Sequence, residues 1–332
     1  MLFGQKIGIP GGLSALRDFL TIEARRLESQ GAFKDAIQVW QDIACLLGEQ
    51  TPESVYHSLS EAYAKNREGF GGSKEENHCW GDIHKHTVLA SIHEQLKPDL
   101  YLEIGVDQGV SLALAPGHAI GVDPRPKLKL SAQLKSDTKI ISKSSDAFFR
   151  EDAEVYLKKS PDLVLIDGMH LFEFALRDFI NVERWSSPTT LVVIDDIYPC
   201  HPTQAKRRRC SGAWTGDVWK LHQILREHRP DLAMVALKSH TTGLLLIAGL
   251  DRSNTLLKDN YENIVKLHQP EAVPAPDVLE RAGSIASDHP AISKLLKVLF
   301  SARSKEWPLN EIKKAISLWR DSLNEIDFSA DQ

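Results

Sequence analysis

Two short runs place acids and an imidazole where chemistry can be done. Leu165-Ile166-Asp167-Gly168-Met169-His170 closes one apolar run, and Val193-Ile194-Asp195-Asp196 closes another, with Asp195 28 residues after Asp167. Short apolar runs read as buried strands, and this spacing is about one strand–helix–strand unit. Parallel strands bring both ends to the same edge of a sheet, the edge where open α/β sheets bind ligands. Three carboxylates gathered there repel one another unless they are protonated or share a cation. A hard divalent cation such as Mg²⁺ suits oxygen ligands of this kind. A single strand-end Asp often does no more than cap a helix or hold a loop. The combination of Asp-Gly-x-His with Asp-Asp is harder to assign to capping.

A third run is Leu102-Glu103-Ile104-Gly105-Val106-Asp107-Gln108-Gly109-Val110-Ser111. An acid closes a strand, and Gly105 and Gly109 open a turn expected to lead into a helix. Glycine serves where backbone must approach a ligand or adopt dihedrals other residues avoid. The position two before Gly105 is Glu103, so this is not the dinucleotide fingerprint G-x-G-x-x-G. A carboxylate there repels a pyrophosphate but suits a ligand that carries an amino group. Asp123 ends the next apolar run, 20 residues after Glu103, where an acid accepts hydrogen bonds from ribose hydroxyls. Ser144-Ser145-Asp146-Ala147-Phe148 follows the third run; its polar groups can reach an adenine edge, with Phe148 packing nearby.

Seven runs are expected to form the sheet that positions these residues: 99–106, 118–123, 138–142, 162–167, 190–195, 231–237 and 242–250. The first five are almost continuously apolar, as in a parallel sheet covered on both faces. Only four residues, 238–241, join the last two, too few for a parallel crossover, so that pair is an antiparallel hairpin. The expected fold is α/β: a doubly wound, mostly parallel seven-stranded sheet, Rossmann-like, with an antiparallel last strand. Helical spacing marks a region over 1–75 and another over 253–332, flanking a central domain at 76–252. The first contains at most one and a half tetratricopeptide-like units, fewer than a self-standing array needs.

In order and spacing, Glu103-x-Gly105-x-x-x-Gly109, Asp123 and Asp146 resemble the S-adenosylmethionine site of class I methyltransferases, over about 100–250. The final antiparallel hairpin is also a feature of that family. The Asp167-Gly168-Met169-His170 and Asp195-Asp196 runs are similar to those of the macrocin (macrolide-sugar) O-methyltransferase-like group. The resemblance implies a cofactor site of Glu103, Gly105, Gly109, Ser111, Asp123, Ser145, Asp146 and Asp167. It also implies Mg²⁺ ligation by Asp167, Asp195 and Asp196, with His170 as general base beside Asp167. Met169 stands where relatives often have Asp, which moves the base role to His170. The reaction implied is methyl transfer from S-adenosylmethionine to a hydroxyl of a small, sugar-like or other polyhydroxylated molecule. The alternatives are a metal-independent O- or N-methyltransferase with His170 as base, and a non-catalytic methyltransferase-like binding module.

Several segments flank the site. His84 and His86 are two residues apart and cannot share a helix face, so 78–93 reads as a helix over the cofactor mouth rather than a zinc site. Lys206-Arg207-Arg208-Arg209 follows the fifth strand, either as a solvated run or as a holder of a substrate phosphate or carboxylate. Trp214 is a candidate pocket wall and Trp219 a core residue. The composition is that of an ordinary globular chain, which excludes disorder and fibrous repeats. A net charge of -5 gives no general attraction to nucleic acid or anionic membranes. The four cysteines include no C-x-x-C pair, and no leader pattern opens the chain. The expectation is a cytoplasmic enzyme with a small-molecule partner, no nucleic-acid or membrane partner, and possible self-association through the helical ends.

Overall fold

The computed structural model describes residues 12–129 and 132–323. The opening segment, on which the absence of a leader was read, lies largely outside them. The chain divides into two compact units, Met1–Gly71 and Gly72–Gln332. In the first, α1 (Gly12–Ser29), α2 (Phe33–Leu47) and α3 (Glu53–Lys65) pack in succession around Ala36, Ile37, Trp40, Ile43 and Leu59. Among the described residues, no helix is long and apolar enough to cross a membrane.

The second unit is built on seven strands: β1 (Leu100–Ile104), β2 (His118–Val122), β3 (Thr138–Ile141), β4 (Leu163–Ile166), β5 (Leu191–Asp195), β6 (Ala233–Leu237) and β7 (Leu244–Ala248). They form one sheet in the order β3-β2-β1-β4-β5-β7-β6. Strands β1 to β5 pair in parallel, while β7 lies antiparallel between β5 and β6. All seven expected strands are present, and the hairpin falls where the short 238–241 connection required it. The strand order reverses direction between β1 and β4, the kind of position at which α/β sheets bind ligands.

Helices α4 (Lys85–Leu96), α5 (Ser145–Glu151), α6 (Ala153–Tyr156), α7 (Phe172–Trp185), α8 (Trp219–His228), α9 (Leu256–Asp259), α10 (Tyr261–His268), α11 (Pro276–Leu279), α12 (Pro290–Ser304) and α13 (Leu309–Leu323) complete the unit. The strand period of two divides the sheet residues between two cores. Leu102, Ile104, Val164, Ile166, Val192 and Ile194 pack with α5, α7, α8 and α10. Tyr101, Leu163, Leu165, Leu191 and Val193 pack with α4, α12 and α13. Glu103, Asp167 and Asp195 continue this second alternation, so they belong to the face that α4 covers.

One expectation changes. The turn after β1 leads not into a full helix but into a single 3-10 turn, Leu112–Leu114. Only thirteen residues separate Ile104 from His118, and Pro116 and Gly117 end any helix early. Over its described part, the helical region 253–332 packs on the sheet. Leu295, Leu296, Leu299, Ile316 and Trp319 are buried in the core shared with β5, β6 and β7. We expect Leu295→Ala to destabilise this unit by about 3 kcal/mol; urea unfolding read by circular dichroism checks it.

Candidate active site

The carboxyl edge between β1, β4 and β5 gathers Asp167, His170, Asp195 and Asp196. Gly105 makes the close approach possible. Its φ is +88°, and a Cβ there would fall 1.9 Å from the Asp167 carbonyl oxygen, so any side chain would push the β1 and β4 loops apart. The Asp167 N–H donates to the Ile104 carbonyl at 2.8 Å. Gly216 does the same for the imidazole loop: a Cβ on it would fall 1.7 Å from the His170 carbonyl oxygen. His170 and Asp196 both adopt left-handed backbone, at φ 57° and 63°. Such dihedrals in non-glycine residues cost energy and persist only where surrounding contacts impose them.

His170 Nδ1 pairs with Asp196 Oδ2 at 2.7 Å, and Nε2 lies 3.7 Å from Asp167 Oδ1. Its ring stacks on Trp214 with centroids 5.2 Å apart and planes 11° from parallel. Trp214 is itself held by its indole N–H, which donates to the Lys206 carbonyl at 2.6 Å. Burial works against the imidazolium, but the Asp196 carboxylate, followed by Asp167 and Asp195, outweighs it and raises the pKa to about 9. At neutral pH His170 is therefore a cation, and it becomes a base only as the pH rises.

The structure adds a residue that the sequence reading did not single out. The Lys85 ammonium, in the first turn of α4, lies 3.0 Å from Asp167 Oδ2 and also pairs with Asp195 Oδ2. Burial disfavours this charge, but Asp167 and Asp195 overcome the penalty and hold its pKa well above the ordinary lysine value. One signal was available in the sequence: a lysine in the first turn of a helix opposes the helix dipole and calls for a carboxylate partner. Asp195 is buried and also accepts from Thr242 Oγ1 at 3.3 Å and from the Asp196 N–H at 2.9 Å.

These pairings bear on the expected Mg²⁺ site. Ligand atoms of Asp167, His170 and Asp196 lie within 4.8 Å of one another, whereas Asp195 is not part of that group. Asp196 is paired with the His170 cation, and Asp167 and Asp195 with Lys85. A divalent ion would have to displace two cations of the chain's own, so this donor set does not fit Mg²⁺ as it stands.

The expected cofactor residues divide in two. Asp123 lies beside the glycine loop: Oδ2 accepts from the Val106 and Asp107 N–H groups at 3.0 and 2.9 Å, and Oδ1 from the Arg125 N–H at 2.7 Å. Gly109 has φ +73°, and a Cβ there would press on the Leu128 side chain. Glu103 instead is fully buried, accepting from Tyr101 Oη at 2.6 Å and Ser111 Oγ at 2.8 Å. Burial raises its pKa to about 8, so Glu103 and Ser111 brace the loop from below. Asp146 is occupied by a two-pronged ion pair with Arg177, both contacts at 2.7 Å. Ser145 sits beside it in the first turn of α5, and Phe148 is buried in the core rather than open to a ligand.

Two residues of the basic run are engaged within the protein. Arg207 pairs with Glu173 and, at 2.8 Å, with Asp217, while Arg209 donates to the Ser211 and Gly212 carbonyls and lies over the Trp214 ring. It builds the loop that carries Trp214.

Residues 102–197 match a family model described as a methyltransferase domain. No curated protein matches the chain. Among solved structures, cofactor-bound Rv0187 from MTB aligns at 16% identity over 62% of this chain and 92% of its own, with a TM-score of 0.40. A putative O-methyltransferase from Klebsiella pneumoniae aligns at 17% identity over 60% of this chain and 97% of its own, with a TM-score of 0.39. A putative caffeoyl-CoA O-methyltransferase from Staphylococcus aureus aligns at 14% identity over 63% and 98%, with a TM-score of 0.41. The stretch matched by the methyltransferase-domain model runs from β1 to just past β5, and so contains the glycine loop, Asp123, Asp146, Asp167, His170, Asp195 and Asp196.

The His170–Asp196 pair makes a testable statement. Asp196→Asn should lower the His170 pKa from about 9 toward the ordinary value near 6.5, read by NMR titration of the imidazole. Because the folded-state value is raised, the pair stabilises the fold fully below about pH 6.5, and this contribution is lost as pH rises through about 9.

Proposed function

We propose that the protein transfers the methyl group of S-adenosylmethionine to a hydroxyl of a small, polyhydroxylated acceptor such as a sugar. One observation carries this reading: His170 is held between Asp196, Asp167 and Trp214 at the edge where the strand order reverses, directly beside the Gly105 loop. The cofactor would lie along that loop, with Asp123 available to ribose hydroxyls once ligand competes with the loop N–H groups.

Methyl transfer is an in-line displacement, so alignment supplies much of the rate. The acceptor oxygen forms a bond to the methyl carbon as the carbon–sulfur bond breaks. The sulfonium leaves as the neutral thioether of S-adenosylhomocysteine. The hydroxyl proton passes to His170 when its imidazole is neutral, and Asp196 stabilises the imidazolium formed. Magnesium is not part of this reading, because the carboxylates are already paired with cations of the chain.

Calorimetry with S-adenosylhomocysteine tests the cofactor half. We expect binding by the full chain and an affinity at least about tenfold weaker in Asp123→Ala, the loss of one or two hydrogen bonds to a charged group. A chain that binds no S-adenosylhomocysteine would sink the reading. Transfer of radiolabelled methyl to a panel of polyhydroxylated acceptors tests the other half. The rate should climb with pH up to about 9, where His170 loses its proton. His170→Ala should lose about a hundredfold or more and flatten that climb; an unchanged profile would remove His170 from the proton path.

A further inference from the structure

We propose that Lys85 supplies, from the chain itself, the positive charge that a divalent cation would otherwise bring to Asp167 and Asp195, so that this edge works without a metal ion. The inference rests on the methyl-transfer reading above and names a residue for it. An ammonium has three N–H donors. Asp167 Oδ2 and Asp195 Oδ2 account for two of them, which leaves one for an acceptor oxygen as negative charge develops on it. Lys85 can thus do two tasks of a metal: neutralise the carboxylates and stabilise the attacking oxygen.

The placement is built in rather than incidental. The Lys85 N–H donates to the His240 carbonyl at 2.6 Å, the His240 N–H to the Ile83 carbonyl at 2.9 Å, and the Asp82 N–H to the Lys238 carbonyl at 3.0 Å. These three bonds tie the start of α4 to the β6–β7 turn, whose next residue, Thr242, donates to Asp195. On the other side, Asp82 accepts from the Ser287 N–H at 2.7 Å and from Ser287 Oγ at 2.6 Å. Gly81 lies so close to the turn that a Cβ would fall 2.4 Å from the His240 nitrogen. The lysine is therefore carried on backbone anchored at two places. Asp167 and Asp195 continue the strand alternation onto the sheet face that α4 helps to cover, and there the Lys85 ammonium meets both. With His170 on Asp196, each of the three edge carboxylates has a partner cation from the chain.

Paramagnetic resonance of Mn²⁺, added to the full-length chain without cofactor or acceptor, tests this. Wild-type protein should leave the free-ion signal unchanged. Lys85→Ala and Lys85→Met, each checked for a cooperative thermal melt, should take up Mn²⁺ about a hundredfold more tightly. Adding Asp195→Asn to either should abolish the uptake. Wild-type protein that takes up Mn²⁺ as tightly as the variants would overturn the proposal, as would folded Lys85 variants that take up none. If neither variant melts cooperatively, the wild-type measurement decides alone: uptake overturns it, and an unchanged signal supports it. The readout needs no methyl donor, so failure of S-adenosylhomocysteine binding would refute the methyl-transfer reading while leaving the metal result intact.

Discussion

Carboxylates gathered at one edge of a buried sheet must be compensated, and that constraint organises this molecule. An ionised carboxylate removed from water costs several kcal/mol unless it is paired or protonated. Asp195 and Asp196 are both buried, and both lie beside Asp167. The chain meets the cost with Lys85 and His170, each anchored by its own backbone. The glycine loop, the start of α4, the β6–β7 turn and the Trp214 loop are shaped around those two cations.

The compensation is achieved at the expense of local conformational comfort. His170 and Asp196 hold left-handed backbone, and Gly105 and Gly216 sit where a side chain would collide with the carbonyls of Asp167 and His170. These four positions bring the β1, β4 and β5 loops closer than ordinary residues permit. Strain of this kind survives only when surrounding packing overrides it. Here the packing is the sheet with both of its cores, including α12 and α13.

Several motif residues have structural work that their spacing alone does not disclose. Glu103 binds Tyr101 and Ser111 beneath the loop, and Asp146 is committed to Arg177, which also donates to Tyr261. Arg207 links Glu173 to Asp217, so the basic run stabilises the loop over the site. The same residue types at the same spacing would look identical in sequence whether they touched a ligand or one another.

How much of the protein was legible in its sequence depends on the range of the interaction. Local periodicity was sufficient for the seven strands, the final hairpin, and the arrival of Asp167, Asp195 and Asp196 at one edge. Tertiary structure alone decided that the start of α4 reaches that edge, and therefore that Lys85 meets the acids. It also decided that Asp146 pairs with Arg177, that the turn after β1 holds only a 3-10 turn, and that the C-terminal helices belong to the core. The physical reason is that hydrogen-bonded periodicity is a property of neighbouring residues. Charge pairing across 82 residues, from Lys85 to Asp167, depends on how the whole sheet is covered.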